Sequence, residues 1–343
     1  MKISICIPQY NRINYLLESL RVIERQSYKE IEIIISDDCS TDGTEERILE
    51  LQARYKYPIV YSKNPTNLGY DRNLREAIGL ATGEYVLIIG NDDTINPEYD
   101  LAEVIRFIGD HGYPDIGFTN YVVEGSDEIT RRAQATRLLG SGPEIALKYY
   151  SCFSFVGGII IKRSVFLEYD TDRYDGSIYT QIYLACIIIA SDHILFSMDI
   201  PLVIKDVLHQ QQDRLSYKDV IPRKWSAYRK LDGGLPSVLN VLISAFKDSN
   251  TLDQKIIYKA FRKMYLTTLP FWVLEYRKEK ALPAAVGLIH GMFPYSLKTL
   301  YQMNWFNRLK ILVTYLCTSM VSILFPIGAF ERIKPRLYNL IKR

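Results

Sequence analysis

Two adjacent carboxylates directly follow a short apolar run in the first third of the chain. Residues 85–89 read Tyr-Val-Leu-Ile-Ile, and Gly90, Asn91, Asp92 and Asp93 come next. Neighbouring Asp side chains repel each other and are rarely buried unless a cation or a basic group neutralises them. Mg²⁺ and Mn²⁺ prefer such carboxylate oxygens, together with diphosphate oxygens and water. The pair therefore predicts a divalent-cation site, and a simple turn after a buried strand is the alternative that the same residue types allow.

Polar clusters also end two earlier predicted strands. Alternating isoleucines at 3–7 predict a first strand, which Pro8 ends, and the polar residues 9–12 follow. Residues 30–35 are nearly all apolar, as in a parallel strand that is covered on both faces, and they lead to two Asp residues at 37–38. Because ligands bind beyond the carboxyl ends of parallel strands, the three clusters predict one common site.

The order of the predicted elements indicates the fold class. After the strands at 3–7 and 30–35, further strands are predicted at 58–61, 85–89, 116–123, 155–161 and 194–204. Apolar residues at helical spacing and helix-terminal signals predict helices at 16–23, 44–55, 71–81, 97–108 and 178–190, with Pro97 in a first turn. This alternation predicts an α/β fold whose mostly parallel sheet is doubly wound. We place a domain boundary near residue 215, between a ligand-binding domain (residues 1–215) and a helical C-terminal region (residues 216–343).

Composition excludes some classes of protein and indicates a compartment. The net charge of +3 over 343 residues is too small to indicate a nucleic-acid-binding protein. Five cysteines are scattered without metal-ligand spacing and are interpreted as thiols in a reducing compartment. The first strand begins directly after Met1-Lys2, and its apolar run is too short for the core of a signal peptide. These features predict a cytoplasmic catalytic domain.

An uncharged segment lies near the C-terminus. Residues 311–330 contain no charged side chain, and basic residues flank them on both sides. The length suits a membrane span, whereas several hydroxyl residues and the Pro326-Ile327-Gly328 break oppose one. Basic flanks with nearby Trp and Tyr suit a helix that lies in an anionic membrane interface. Three interpretations stay open: an interfacial helix, a core or oligomer helix, and a span.

Three motifs carry a resemblance to a known family. They are Ile7-Pro8-Gln9-Tyr10-Asn11-Arg12, then Asp37-Asp38-Cys39-Ser40-Thr41-Asp42-Gly43-Thr44, then Gly90-Asn91-Asp92-Asp93. Their order and their places at strand ends resemble the N-terminal signature of family 2 glycosyltransferases with the GT-A fold, of the bacterial O-antigen or capsule type. The resemblance implies a GT-A nucleotide-sugar-binding domain in residues 1–215. The helical extension that follows is predicted to associate with a membrane or with other copies.

The resemblance also assigns donor-binding roles. By this likeness the donor nucleotide would contact Pro8, Tyr10, Arg12, Asp38, Arg72 and Asp92. Tyr10 would stack on a base or ribose, and Arg12 would face phosphate. Asp38 would read the base, and a carboxylate that only accepts hydrogen bonds selects an N–H donor, as on uracil, thymine or guanine. Cys39 stands where the family usually has glycine.

The resemblance assigns a metal site as well. Asp93 matches the direct ligand of Mn²⁺ or Mg²⁺, and His209 resembles a C-terminal histidine that completes the metal or diphosphate site. The metal would stabilise the negative charge of the departing diphosphate. Gly90 stands at the usual first acid of the motif. A surface position is the alternative for His209.

A catalytic base is expected just before the predicted helix at 178–190. Inverting members of the family carry an acid there that deprotonates the acceptor hydroxyl. The common Glu-Asp pair is absent, and Asp175 is the nearest acid, with helix capping as its alternative role. Gly157-Gly158 resembles the glycine-containing strand on the acceptor side.

These observations predict a metal-dependent, inverting glycosyltransferase. It would move a sugar from a nucleoside-diphosphate donor to a lipid-linked polysaccharide intermediate at the cytoplasmic face of a bacterial inner membrane. A homo-oligomer formed through the C-terminal helices is a further expectation. The main alternative is a non-catalytic, membrane-attached protein that binds nucleotide sugars or acts as a scaffold. A nucleotidyltransferase is disfavoured because the Gly-rich loop of that class is absent.

Overall fold

The computed structural model describes residues 1–126, 128–207 and 234–341. Within them the chain forms two compact units. The first consists of Met1–Ser141, Cys152–Gly176 and the described part of Asp192–Ser216. The second consists of Gly142–Ser151, Ser177–Ser191 and the described part of Tyr217–Arg343. The boundary placed near residue 215 lies outside the described residues and stays a prediction.

The first unit is built on a mixed sheet. Its strands are β1 (Ile3–Gln9), β2 (Ile31–Asp37), β3 (Ile59–Lys63), β4 (Tyr85–Ile88), β5 (Thr94–Ile95), β6 (Ile116–Val123), β7 (Ile129–Thr130), β8 (Arg137–Gly140), β9 (Ile159–Lys162) and β10 (Leu195–Lys205). The order is β3-β2-β1-β4-β9-β6-β10-β5, with β7 beside β6 and β8 beside β10. β3, β2, β1 and β4 run parallel, β9 is antiparallel to both of its neighbours, and β6 pairs with β10 in parallel.

The helices follow the strands in the first unit and form the second. They are α1 (Ile13–Ile23), α2 (Thr44–Gln52), α3 (Tyr70–Leu80), α4 (Leu101–Asp110), α5 (Pro143–Tyr149), α6 (Arg163–Tyr169), α7 (Thr180–Ala190), α8 (Leu235–Asp248), α9 (Gln254–Lys263), α10 (Leu269–Lys278), α11 (Leu282–Gly291), α12 (Trp305–Leu324) and α13 (Ile327–Ile341). A π-helical turn at Met264–Thr268 joins α9 to α10.

Apolar strands fix the edge at which the candidate site lies. Every residue of β1 and β2 is buried, as expected for parallel strands with helices on both faces. β2 runs two residues beyond the predicted end at residue 35, so Asp37 is its last residue. The predicted mostly parallel α/β sheet with a helical C-terminal region is confirmed.

The predicted starts of one strand and two helices are also wrong, for local backbone reasons. The strand predicted from residue 155 begins at Ile159, because Gly158 has a left-handed φ of 80° that ends the extended conformation. The helix predicted from Pro97 begins at Leu101, because the side chain of Asp100 accepts a hydrogen bond from the Ala102 N–H and caps it there. The apolar helix predicted from Ile178 begins at Thr180, since Ile178 has a φ of 60°.

In the second unit, α5 and α7 from the middle of the chain join the C-terminal helices. The Tyr183 hydroxyl donates to Asp248 Oδ2 at 2.9 Å and links α7 to α8. No single helix in the described ranges is long and apolar enough to cross a membrane. Helix α12 and the start of α13 meet the length and composition criteria only as a pair, bent by 106°.

Candidate active site

Hydrogen bonds join the three strand ends that the sequence predicted to form one site. The Gln9 side chain at the end of β1 accepts from Asn91 Nδ2 at 3.0 Å and donates to Thr44 Oγ1 at 3.1 Å. The Gln9 carbonyl accepts from the Asp38 N–H at 2.9 Å and from Asn73 Nδ2 at 3.1 Å. The loops after β1, β2 and β4 therefore converge on Gln9.

Asp92 forms an ion pair with Arg12. The Arg12 Nη1 atom donates to Asp92 Oδ2, and the Asp92 carbonyl accepts from the Val207 N–H at 2.6 Å. Arg12 was predicted to face phosphate and Asp92 to hold the donor. In the structure the two side chains neutralise each other at the edge of the sheet.

Asp93 is almost completely buried, with an exposed fraction of 2%. Its Oδ2 accepts from the Gly90 N–H at 3.2 Å, and its Oδ1 accepts from the Asp206 N–H at 3.3 Å. Burial and then the negative charge of Asp92 raise the pKa of Asp93 above its ordinary value. The two N–H groups therefore fix the position of the Asp93 carboxyl group, whereas burial and the charge of Asp92 disfavour its ionised form.

Two glycines make room for the Asp93 carboxyl. A Cβ atom built on Gly90 would lie 2.7 Å from Asp93 Oδ2, and one built on Gly157 would lie 3.0 Å from the same oxygen. The position where the resembling family carries an acid therefore has no space for any side chain while Asp93 keeps this orientation. The glycine at position 90, where the family usually has an acid, therefore makes room for the buried Asp93 carboxyl group.

The donor set at these acids suits a hard divalent cation. Asp92 and Asp93 present adjacent carboxylates, and a positive charge between them would offset both the burial of Asp93 and the repulsion. No group of three His, Cys, Asp or Glu side chains with metal-binding geometry occurs in the ranges the structure describes. His209, predicted as a further ligand, lies outside those ranges. Metal binding by Asp93 stays a prediction.

Asp38 anchors the loop before α3. Its two carboxylate oxygens accept from the backbone N–H groups of Leu68 at 2.6 Å and Gly69 at 2.9 Å, and 3% of the residue is exposed. Base reading by Asp38 stays a prediction, and in the structure its carboxylate holds the loop in place. Cys39, next along the chain, has a φ of 64°, the left-handed conformation that glycine adopts most readily.

The other predicted donor contacts differ in exposure. Tyr10 is 46% exposed beyond the end of β1, so its ring is open to a ligand. Pro8 is buried within β1 and faces Ser36 of β2 in register. Arg72 is exposed on α3 and pairs with Glu76 at 3.3 Å.

Asp175 is bound by an arginine. The Arg75 guanidinium donates to both carboxylate oxygens of Asp175, at 3.0 and 2.7 Å, and also to Asp170 at 3.0 Å. The Asp175 hydrogen bonds raise the pKa of Arg75 further above its ordinary value. Asp175 lies five residues before the first residue of α7, whose N-cap is Tyr179, so the capping alternative is wrong. Its role as the base stays a prediction.

The sequence reasoning missed two further features of the site. Lys205 is the last residue of β10 and Asp206 follows it. Their ion pair of 2.5 Å lies beside Asp93, whose carboxylate accepts a hydrogen bond from the Asp206 N–H. A polar pair at another strand end was the available signal. Arg132 is 1% exposed and donates to the carbonyls of Phe155 and Gly157 at 2.8 and 2.6 Å. No sequence signal marked this arginine.

Comparison with known sequences assigns residues 4–170 to a family. The model of the family described as "Glycosyl transferase family 2" matches residues 4–170, which include all three strand-end motifs. Residues 4–170 are therefore a glycosyltransferase family 2 domain. The predicted family and its GT-A fold are confirmed.

Curated relatives match about half of the chain. The abequosyltransferase RfbV of Salmonella typhimurium is 33% identical over 202 residues, which are 54% of this chain and 60% of the relative. The GalNAc(5)-diNAcBac-PP-undecaprenol beta-1,3-glucosyltransferase of Campylobacter jejuni is 32% identical over 183 residues, 52% of this chain and 56% of the relative. The matched parts are less than two thirds of either relative.

Solved structures share the fold over most of the chain. TarS 1–349 of S. aureus has a TM-score of 0.62 at 16% identity, covering 94% of this chain and 91% of that one. The mannosyltransferase PcManGT of Pyrobaculum calidifontis, in complex with GDP-Man and Mn²⁺, has a TM-score of 0.53 at 16% identity, covering 99% and 85%. At this identity the likeness shows the fold alone.

Proposed function

We propose that the chain is an inverting glycosyltransferase that moves a sugar from a nucleoside-diphosphate donor to a lipid-linked saccharide of bacterial surface-polysaccharide synthesis. One observation carries the proposal: within a glycosyltransferase family 2 domain, Gln9 gathers three strand ends around the acidic pair Asp92-Asp93. Two relatives, an abequosyltransferase and an undecaprenol-linked glucosyltransferase, support the substrate class.

The donor would lie across the carboxyl ends of β1, β2 and β4. Tyr10 offers an exposed ring on which a base or ribose can stack, as aromatic side chains commonly do with π-systems. A diphosphate bound here would compete with Asp92 for the Arg12 guanidinium, which favours planar bidentate acceptors. Release of Arg12 to phosphate would leave the Asp92 carboxylate free to bind a cation.

The divalent cation, Mn²⁺ or Mg²⁺, would be held by Asp93 and Asp92 with donor diphosphate oxygens. When bound, it would supply Lewis-acid stabilisation of the charge on the departing diphosphate. The protein would supply orientation, because Gly90 and Asp206 fix both oxygens of Asp93 through their N–H groups. Lys205, beside this carboxyl, adds a positive charge at the same edge.

Asp175 is the proposed general base. It would take the proton of the acceptor hydroxyl as that oxygen attacks the anomeric carbon from the side opposite the leaving diphosphate. Each carboxylate oxygen has two lone pairs, so Asp175 can accept from a hydroxyl while Arg75 holds it. Arg75 would fix the direction from which the acid meets the acceptor.

A second candidate function rests on these same ion pairs. Asp92 is engaged by Arg12, and Asp175 by Arg75, so both acids are neutralised in this state. A protein that binds nucleotide sugars without turnover would tolerate such pairs permanently. The transferase requires the donor diphosphate to open the Arg12–Asp92 pair, whereas Asp175 can accept the hydroxyl proton while Arg75 still holds it.

Donor-dependent transfer, measured with and without chelator, tests the proposal. We expect Asp93→Asn and Asp175→Asn each to reduce kcat at least about hundredfold, the usual scale for charge-stabilising and acid–base groups. Asp110→Asn, which removes an exposed carboxylate at the end of α4, is the matched control and should retain wild-type activity. Full activity of Asp93→Asn, or activity in excess chelator, would refute the metal-dependent transferase. Donor binding without turnover by the wild-type protein would establish the second candidate.

A further inference from the structure

Helix α12 in the second unit presents an exposed apolar face. Its large apolar side chains on that face are between 46% and 73% exposed. They are Trp305, Phe306, Leu309, Val313, Leu316, Met320, Val321 and Leu324. These positions recur every three or four residues along the helix, so they form one continuous stripe. We call this set the α12 apolar face.

The opposite side of α12 packs on its own unit and carries both apolar and polar side chains, among them the buried Ile311 and Tyr315. The Tyr315 hydroxyl donates to the Ile289 carbonyl of α11 at 2.8 Å. Arg277 of α10 donates to the carbonyls of Ser322 and Phe325, both at 2.7 Å. Ser319 and Ser322 are buried on this side. The helix therefore exposes a continuous apolar stripe where a surface helix of a soluble protein normally presents polar side chains.

The charges around the face are almost all positive. Residues 311–330 carry no charge, Lys310 precedes them and Arg332 follows them, and both of these basic residues are exposed. From residue 292 to the end of the sequence, Glu331 is the one acid among eight basic residues. Glu331 itself pairs with Lys278 at 3.4 Å. An occupant of the face must therefore be apolar at its centre and negative at its border.

A second copy of the chain fits these charges poorly. If two α12 faces packed together, parallel or antiparallel, the basic ends of one helix would meet the basic ends of the other. No acid lies on the face to compensate. An anionic bilayer surface satisfies both requirements, because acyl chains receive the stripe and headgroups receive the basic flanks. Trp305 at the first turn suits the headgroup level.

We propose that the α12 apolar face docks on an anionic lipid bilayer, with the helix axis in the plane of the interface. This extends the membrane location expected for a lipid-linked acceptor and gives it a defined surface. Its test needs neither donor nor acceptor, so docking and transfer can fail separately.

Vesicle flotation of the full chain tests the surface. We expect the protein to float with vesicles of phosphatidylethanolamine and phosphatidylglycerol, and much less with phosphatidylcholine alone. The double variant Leu316→Glu/Met320→Glu should lower the partition coefficient at least about tenfold, because two buried apolar contacts become charges. Leu49→Glu on α2, a leucine of similar exposure outside the α12 apolar face, should bind as wild type.

Two further variants test whether the basic residues beside the α12 apolar face contribute to binding. Lys310→Gln and Arg332→Gln should each weaken binding to the anionic vesicles by about fivefold and leave binding to phosphatidylcholine unchanged. All variants change exposed positions, so circular dichroism and Tm should match wild type.

Three outcomes would overturn the proposal. The first is equal vesicle binding by wild type and Leu316→Glu/Met320→Glu. The second is a wild-type oligomer that the double variant dissociates, with no wild-type binding to anionic vesicles. The third is vesicle-bound protein that resists alkaline extraction, which would indicate a span instead. Donor hydrolysis in solution, measured on the same variants, reports on the proposed function separately.

Discussion

The residue with the most constrained environment is Asp93. Its two oxygens accept from Gly90 and Asp206, and the space around it exists because residues 90 and 157 have no side chain. A buried acid whose charge is opposed by a neighbouring acid is costly for the folded state. Such an arrangement is typical of functional sites, where a bound ligand supplies the missing charge.

The raised pKa of Asp93 predicts a pH-dependent stability. In the folded state the acid retains its proton at pH values where the unfolded chain has released it, so its contribution favours folding at low pH. That contribution should be lost as the pH rises from about 4 through the raised folded pKa, at about 1.4 kcal/mol per pKa unit. In chelator, Asp93→Asn should therefore gain stability relative to wild type as the pH rises over this window.

Urea unfolding of both proteins over this pH range measures the effect. Adding Mn²⁺ and a nucleoside diphosphate should flatten the wild-type trend, because a bound cation favours the charged carboxylate. Asp110→Asn should show the wild-type trend. If the free energies of unfolding of wild type and Asp93→Asn changed with pH in the same way, the pKa of Asp93 would not be raised in the folded state.

Cys39 gives a second prediction at the residue scale. Its φ of 64° is sterically costly for side chains branched at Cβ and cheap for glycine. We expect Cys39→Val to be about 1 kcal/mol less stable than Cys39→Ala, and Cys39→Gly to be at least as stable as Cys39→Ala. Thermal unfolding of the three variants gives the ranking, and equal stabilities would show that the loop relaxes into another conformation.

Among the elements, those built on apolar periodicity were predictable. Alternating isoleucines located β1 and a nearly continuous apolar run located β2, and the polar clusters at their ends marked the ligand edge. The start of β9 was not predictable, because it depends on Gly158, whose left-handed backbone leaves no room for a Cβ beside Thr119. The pairing of Arg75 with Asp175, 100 residues later, also escaped prediction, since only tertiary structure brings α3 to that segment.

At the scale of the elements, replacing Arg132 is expected to cause the largest loss of stability. Its guanidinium donates to the carbonyls of Thr119, Cys152, Phe155 and Gly157 and lies against the rings of Tyr121 and Phe155, so one side chain ties β6 to the segment before β9. Arg132→Met leaves several buried carbonyls without this donor. It should cost about 3 kcal/mol or more in the free energy of unfolding.

Arg132→Lys is the matched variant for charge. It keeps the positive charge but loses the planar fork, so its stability should lie between those of wild type and Arg132→Met. Chemical denaturation gives the order. If the lysine variant were as stable as wild type, the charge alone would account for the role of Arg132.

At the scale of the whole molecule, ligands that bind only the folded chain should raise its Tm. A nucleotide at hundredfold its Kd adds about 2.7 kcal/mol to the free energy of unfolding. If Asp38 reads the base through a ring imino N–H, diphosphates of uridine, thymidine and guanosine should shift the Tm more than those of cytidine and adenosine, whose bases have no ring imino N–H. Each shift should grow with Mn²⁺ if Asp92 and Asp93 hold the cation.

Asp93→Asn should lose the Mn²⁺ dependence and keep the base preference, because Asp38 is fixed by the separate loop before α3. A base preference that survives in Asp38→Asn would assign base reading elsewhere, and Tm shifts in wild type that do not respond to Mn²⁺ would contradict the cation site.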